Sequence, residues 1–250
     1  MAIKKNAQKL LLALFTDPNK TSVMLPITGL RHLVPDMSEG GYRSLLLFLE
    51  RKNFLFREKV FGSVSVGLTE EGRNALLSQF PALDERWRSW NGRWMVLIFL
   101  EAPKSDPNFR YLRQLLLAEK SLVLSRGVYL AAGSFSNRVL METKQLYHQS
   151  VAILSAETWH IGLQRPLIVS YYDLTSRVES YSGFSKEVTR LLEMSDAAKK
   201  LNNQQKSALC SLFDRVVDSL RDDPGFTSYY FPDYPGISPL IAQLQKVIML

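Results

Sequence analysis

The chain of 250 residues is longer than one small domain, and we expect it to form two or three domains. Apolar residues make up 46% and charged residues 22%, which favours folded cores over a disordered chain. One cysteine and three widely separated histidines argue against a disulfide framework or a zinc site. No apolar stretch has the length of a membrane span, so we expect a cytoplasmic protein with no membrane partner.

The formal net charge of +7 comes from the first two thirds of the sequence. Residues 1–80 contain 11 Lys and Arg against 7 Asp and Glu, and residues 81–162 contain 10 against 7. Residues 163–250 are balanced, with 10 of each. A basic region attracts polyanions, of which nucleic acid is the most common. Two interpretations stay open on charge alone: a nucleic-acid partner, and a mildly basic protein without one.

The first 80 residues predict helices followed by a hairpin. Asp17-Pro18-Asn19 ends the first helix, and Ser38 is a good N-cap for the third. The predicted elements are helices over 4–15, 27–34 and 38–52, strands over 54–57 and 64–68 around a turn at 60–63, and a helix over 69–80. This order is typical of a winged helix-turn-helix domain, whose third helix enters the major groove of DNA.

The third predicted helix and the hairpin supply the side chains that we expect to contact DNA. A helix in a groove about 12 Å wide must present donors to bases and phosphates on its exposed face. The expected DNA-binding residues are Ser38, Gly41, Arg43, Ser44, Arg51 and Lys52 on the helix, and Arg57 and Lys59 on the hairpin. A winged helix that makes only protein contacts is the alternative interpretation.

Residues 81–162 predict a domain with βαββαβ order, which is the order of the ferredoxin-like sandwich. Its predicted elements are strands over 94–100, 123–124, 128–130 and 151–154, and helices over 108–119 and 134–148. Residues 163–250 predict helices over 174–193, 202–221 and 238–249, in a helical domain that binds an effector or supports a dimer. The expected fold class is therefore α+β, with domains at 1–80, 81–162 and 163–250.

Short segments in all three regions resemble the PaaX family of bacterial repressors. The segments are SEGGYRS at 38–44 and LTEEGR at 68–73 in the head, WNGRW at 90–94, EAP at 101–103, RYLR at 110–113 and SRGVYL at 125–130 in the middle, and RDDP at 221–224 and FPDYPG at 231–236 in the tail. The resemblance implies a transcriptional repressor with a middle domain related in fold to the Cas2 proteins. It also implies ligand control, since family members answer to aryl-acyl-CoA thioesters.

The Cas2-like fold and the helix-turn-helix head together favour a homodimer on an inverted repeat in double-stranded DNA. Two segments depart from the family pattern. Leu47 and Phe48 stand in the predicted recognition helix where the family has polar or basic residues, and Lys120-Ser121-Leu122 replaces a glycine-phenylalanine pair. Exposed Leu47 and Phe48 would favour a third class of function, an adaptor or assembly protein that uses the winged helix for contacts.

A metal-dependent nuclease of the Cas2 type is the enzymatic alternative. That chemistry needs carboxylates at the end of the first strand of the middle domain, where Glu101 stands, with Asp106 in the following loop. One carboxylate without a positioned partner is poor support, so we expect no enzymatic activity, no metal and no cofactor. The four tryptophans Trp87, Trp90, Trp94 and Trp159 are interpreted as core or interface residues, with an aromatic effector cage as the alternative.

Overall fold

The computed structural model describes residues 3–16, 22–60, 62–159, 165–196 and 200–250. The predicted helix stop at Asp17-Pro18-Asn19, and Phe61 in the predicted turn, lie outside these residues. The chain is an α+β protein with two antiparallel sheets, and it divides into two compact units. We call Met1–Asp84 together with Leu174–Leu250 the two-segment unit, and Glu85–Asp173 the middle unit.

The N-terminal part of the two-segment unit combines helices with an antiparallel sheet of order β1-β3-β2. Its elements are α1 (Lys5–Ala13), β1 (Leu25–Pro26), α2 (Ile27–Leu30), a 3₁₀ turn (Arg31–Leu33), α3 (Glu39–Arg51), β2 (Leu55–Val60), β3 (Ser63–Leu68) and α4 (Glu70–Gln79). The helices and the hairpin follow the predicted order. The short strand β1 was not predicted, and the second predicted helix changes to 3₁₀ geometry after Leu30.

The C-terminal part of the same unit is helical. Its elements are α8 (Leu174–Asp196), α9 (Asn203–Asp222), α10 (Thr227–Tyr230) and α11 (Ile237–Ile248), of which the short helix α10 was not predicted. A capping box starts α9, because the Asn202 side chain accepts from the Gln205 amide at 2.9 Å and the Gln205 side chain accepts from the Asn202 amide at 2.8 Å. Helix α9 packs on α1 and on the 3₁₀ turn, and α11 packs on α8 and α1.

Helix α1 lies inside the two-segment unit and is buried from Ala7 to Ala13, including the polar side chains Gln8 and Lys9. The Lys9 ammonium lies 3.2 Å from the Asp214 carboxylate of α9. Gln245 of α11 donates to the carbonyl oxygens of Ala13 and Phe15 at 2.9 and 2.8 Å, at the end of α1. The tail from Leu174 onward therefore shares one core with the first 84 residues, whereas the sequence analysis places it in a separate domain.

The middle unit has the element order βαββαβ, followed by one more helix. Its elements are β4 (Trp94–Phe99), α5 (Pro107–Ala118), β5 (Leu122–Ser125), β6 (Val128–Ala132), α6 (Asn137–Tyr147), β7 (Val151–Ala156) and α7 (Arg165–Tyr171). The antiparallel sheet has the order β5-β6-β4-β7, and Leu97, Tyr129 and Val139 belong to the core between the sheet and its helices. Across the described residues of the whole chain, no helix combines the length and apolar character needed to cross a membrane.

Candidate nucleic-acid interface

Ser38 and Gly41 build the start of α3. The Ser38 side chain accepts from the Gly41 amide at 3.1 Å and so caps one of the free amides of the first turn. A Cβ at Gly41 would lie 3.1 Å from Met37 Cγ and 3.2 Å from Ser38 Oγ, so glycine leaves room for the cap. These two predicted site residues therefore set where α3 begins, and Ser38 remains exposed at the end of the helix.

One face of α3 is buried and holds the helix on the unit. Tyr42, Leu46 and Leu49 are buried at helical spacing, as their pattern predicts. The Tyr42 hydroxyl donates to the Ile27 carbonyl at 2.6 Å, and burial raises the pKa of Tyr42 far above its ordinary value. This hydroxyl therefore stays protonated and ties α3 to α2, so the orientation of the exposed face is fixed by packing and by a hydrogen bond.

The opposite face of α3 is exposed and carries most of the predicted contacts. Arg43, Ser44 and Arg51 are exposed there, and Lys52 is exposed directly after the helix. Arg43 is held in an i,i+4 ion pair by Glu39, with 3.0 Å between Arg43 Nε and Glu39 Oε1. Such an exposed pair stabilises a helix by only about 0.3–0.5 kcal/mol, so a phosphate or base can replace it at little cost.

The hairpin brings two further cations to one side of β2. Arg57 and Lys59 are two residues apart, so they lie on the same face of the strand, and both are exposed. Arg57 Nε lies 3.0 Å from Glu50 Oε1, which connects the hairpin to the last turn of α3. Among the described residues, Arg51, Lys52 and Lys59 form no ion pair within 4 Å.

Two acidic residues of this surface were not predicted as part of it. Glu39 could have been found from its i,i+4 spacing to Arg43, which is the spacing of a helical ion pair. The pair between Glu50 and Arg57 joins a helix to a strand, and no regular spacing in the sequence indicates it. Both carboxylates hold an arginine in place and reduce the positive charge that the surface presents.

Apolar side chains interrupt the cationic surface. Leu47 is 43% exposed and Phe48 is 39% exposed, both on α3, and Phe56 of β2 is also exposed. Leu47 lies one helical turn from Arg43 and from Arg51, so an apolar group stands between two cations along the exposed face. A base-reading helix can use such a side chain against the methyl group of thymine, and a protein-binding helix can use it as an anchor.

The two candidate nuclease residues, Glu101 and Asp106, lie in the segment between β4 and α5. Glu101 is exposed after β4. The Asp106 carboxylate accepts from the Asn108 amide at 2.9 Å and from the Tyr147 hydroxyl, and these bonds lower the pKa of Asp106, with the tyrosine contributing most. In the part of the chain that the structure describes, no three His, Cys, Asp or Glu side chains are grouped to hold a metal ion.

Three of the tryptophans pack on one another in the middle unit. Trp90 meets Trp87 and Trp94 edge to face, with ring centroids 6.1 and 5.5 Å apart. The Trp90 indole donates to the Arg93 carbonyl at 3.0 Å, and Trp87 and Trp94 are buried. Trp90 is half-buried, and its two edge-to-face contacts stabilise the packing at the start of β4.

Comparison with known proteins finds matches among solved structures. No family model matches the sequence, and a search of curated proteins found no match. The uncharacterized protein Rv0674 from Mycobacterium tuberculosis is similar over 100% of both chains, with 17% sequence identity and a TM-score of 0.49. A functional proposal for this chain therefore depends on its own residues.

Proposed function

We propose that this protein is a cytoplasmic transcriptional regulator that binds a specific sequence in double-stranded DNA as a homodimer and acts as a repressor. The observation that carries the proposal is the exposed face of α3, where Arg43, Ser44 and Arg51 follow at helical spacing. The hairpin directly after it exposes Arg57 and Lys59 on one face of β2. A helix that reads bases beside a hairpin that holds phosphates is the arrangement of a winged helix on DNA.

The sheet connections support the domain types in this proposal. Three helical segments before an antiparallel hairpin are consistent with a winged helix-turn-helix head. In the middle unit, β6 is antiparallel to both β4 and β5 and lies between them, which is the split βαβ arrangement of ferredoxin-like and Cas2-like domains. A two-fold dimer with such heads binds an inverted repeat, and light scattering that finds only monomer would remove this part of the proposal.

The proposal is tested by selecting duplexes from a random-sequence pool and measuring fluorescence anisotropy at several salt concentrations. Arg43→Ala should cost about 1–3 kcal/mol of binding to the selected duplex, because its proposed role is to contact a base. The double variant Arg57→Glu and Lys59→Glu should weaken binding to all duplexes and reduce the salt dependence, because it removes phosphate contacts.

Lys186→Ala is the matched control for Arg43→Ala, since Lys186 is an exposed cation on α8, in the region of balanced charge and far from α3 and the hairpin in sequence. It removes one positive charge and should leave both kinds of binding unchanged. Equal binding by the wild type and by all the variants would remove α3 and the hairpin from the proposed role. An aryl-acyl-CoA thioester, the effector class suggested by the family resemblance, should release the selected duplex from the wild type.

The exposed apolar side chains of α3 favour one competing function, that of an adaptor protein. Leu47 and Phe48 are adjacent exposed apolar side chains, which a bound partner protein would cover. The same selection experiment separates the two functions. An adaptor would enrich no duplex, and its charge-reversal variants would bind DNA as weakly as the wild type does.

A further inference from the structure

A concave, strongly basic pocket lies within the middle unit, and none of its lining residues is among those predicted to bind DNA. Its volume is about 400 Å³. It is formed by the loop before α5, the first two turns of α5 and the β5–β6 hairpin. Its lining residues are Lys104, Ser105, Asp106, Phe109, Arg110, Arg113, Val123, Arg126 and Tyr129.

Four cations, Lys104, Arg110, Arg113 and Arg126, face one carboxylate in this lining. That carboxylate, Asp106, is already engaged by the Tyr147 hydroxyl and the Asn108 amide. Among the described residues, none of the four cations lies within 4 Å of a carboxylate. Like charges brought together without counter-ions repel one another and focus a positive potential in the cavity, so the pocket attracts anions.

All four cations are exposed, and one of them, Arg126, lies near an aromatic ring at the base of the pocket. Phe109 is buried against Phe99, with ring centroids 4.9 Å apart, and the Arg126 guanidinium lies 6.0 Å from the Phe109 ring centre. Arg126 also donates to the Pro103 carbonyl at 2.5 Å, which fixes its direction. Arg113 forms a hydrogen bond with the Tyr129 side chain. Burial raises the pKa of Tyr129, and the nearby Arg113 lowers it by a smaller amount. The pocket therefore combines positioned guanidinium groups with an apolar wall.

Size and shape decide between a small ligand and a nucleic-acid duplex. A cavity of about 400 Å³ is within the range of small-molecule sites, roughly 300–1,000 Å³. A duplex presents its phosphates on a convex surface, which can contact exposed helices and loops but does not fit into a pocket. Guanidinium groups match phosphate oxygens with two parallel hydrogen bonds, and they do so better than a lysine ammonium can.

We propose that this pocket binds a small organic phosphate, with its phosphate groups on Arg110, Arg113 and Arg126 and its apolar or aromatic part against Phe109 and Val123. The inference does not depend on the proposed DNA-binding function, because all of these residues belong to the middle unit. The lining has four cations and one carboxylate, so a ligand with more than one negative charge offsets the excess better than a monoanion does.

The test is isothermal titration calorimetry of the full-length protein with ADP, pyrophosphate and benzoate as separate probes. ADP should bind saturably, pyrophosphate more weakly because it lacks the apolar part, and benzoate not detectably. Arg110→Ala and Arg113→Ala should each raise the Kd for ADP about ten-fold or more, since each removes a charge-assisted hydrogen bond. Arg126 is left unchanged, because it also holds the loop at Pro103.

Lys144→Ala is the matched control, because Lys144 is an exposed cation of α6 in the same unit but outside the pocket lining. It should leave ADP binding unchanged, and thermal melting of each variant verifies that the middle unit is folded. The proposal is overturned if ADP does not bind, if Lys144→Ala weakens it as much as the arginine variants do, or if benzoate binds in its place. Tight binding of single-stranded DNA without ADP binding would also overturn it, since the pocket would then be a nucleic-acid site.

Discussion

The middle unit is one continuous segment of chain, whereas the two-segment unit is assembled from both ends of the chain. Within the middle unit, β4 pairs with β6 and β7, and β6 pairs with β5, so every strand of the sheet comes from residues 94–156. In the two-segment unit, α1 is enclosed with the help of α9 and α11, which follow it by about 200 residues. The two units therefore differ in the sequence separation between the residues that form their cores.

This difference has a consequence for the two candidate sites. The surface of α3 and the hairpin belongs to the two-segment unit, so its support depends on the tail helices. The basic pocket belongs to the middle unit, whose core lies within its own segment. Damage to the tail should therefore affect the proposed DNA-binding surface and leave the pocket intact.

Deletion of residues 237–250 should have the largest effect. The deletion exposes the core positions of α1 and α8 that α11 covers, and it removes six buried apolar side chains of α11 itself. At about 1.5 kcal/mol or more for each side chain, the loss is roughly 9 kcal/mol, comparable with the whole stability of a domain. The two-segment unit should unfold, and hydrogen exchange should show α1 without protection.

The tryptophans give this deletion an internal control. All four lie in the middle unit, so tryptophan fluorescence reports on that unit, while far-UV circular dichroism reports on the helices of both. After the deletion, the urea midpoint followed by fluorescence should stay where it is in the wild type. If α1 keeps its hydrogen-exchange protection, or if the fluorescence midpoint falls with the helical signal, the comparison between the units is wrong.

A smaller effect, about 3 kcal/mol, is expected from Gly72→Ala at the start of α4. A Cβ at Gly72 would lie 2.0 Å from the Phe54 carbonyl oxygen, so the backbone must move, and overpacking of this kind costs about 1–3 kcal/mol or more. Gly40→Ala is the matched control within the same unit, because a Cβ there meets nothing within 4 Å. It should stabilise α3 by about 0.5–1 kcal/mol.

Urea denaturation followed by circular dichroism measures both glycine variants. A Gly72→Ala protein as stable as the wild type would show that Phe54 can withdraw without cost. Gly40→Ala also concerns the candidate interface, because Gly40 lies on α3. A Cβ there meets nothing within 4 Å, so this variant should bind DNA as the wild type does.

The sequence predicted the four strands and the first two helices of the middle unit, because local patterns signal them, but it did not predict α7 and assigned residues 163–173 to the tail domain. The apolar run at 94–100 is observed as β4, and Asp106 and Ser136 cap the helices that follow it. The surroundings of α1 were not predicted. An unbroken LLLALF run indicates a helix buried on all sides, but nothing local shows that Gln245 would reach Ala13.

One of the two candidate sites could be predicted from local sequence patterns, and the other could not. The exposed cations and apolar side chains of α3 follow from the helical period, since Tyr42, Leu46 and Leu49 fix the buried face. The basic pocket could not be predicted, because its cations come from a loop, a helix and a hairpin that meet only in the folded chain. Arg110 and Arg113 at i,i+3 spacing were its one local signal.

The smallest predicted effect concerns two carboxylates that each accept a tyrosine hydroxyl. Asp223 of the two-segment unit is buried and accepts from Tyr181 at 2.9 Å, and desolvation raises the pKa of Asp223. Asp106 of the middle unit accepts from Tyr147, and that hydrogen bond lowers the pKa of Asp106. The same partner therefore accompanies opposite shifts, because burial disfavours the charged form of Asp223.

The two shifts predict opposite pH dependence in the two units. Folded Asp223 binds its proton more tightly than unfolded Asp223, so its stabilising effect is complete below the ordinary pKa of 3.8 and is lost as pH rises through the raised pKa. Folded Asp106 binds its proton less tightly, so its effect is present above 3.8 and is lost as pH falls through the lowered pKa. Lowering the pH from 7 should therefore raise the free energy of unfolding of the wild type relative to that of Asp223→Asn, as measured by urea melts followed by circular dichroism. Lowering the pH below about 4 should reduce the free energy of unfolding of the wild type relative to that of Asp106→Asn, as measured by urea melts followed by tryptophan fluorescence. A shift of the same sign in both comparisons would contradict the opposite environments assigned to these carboxylates.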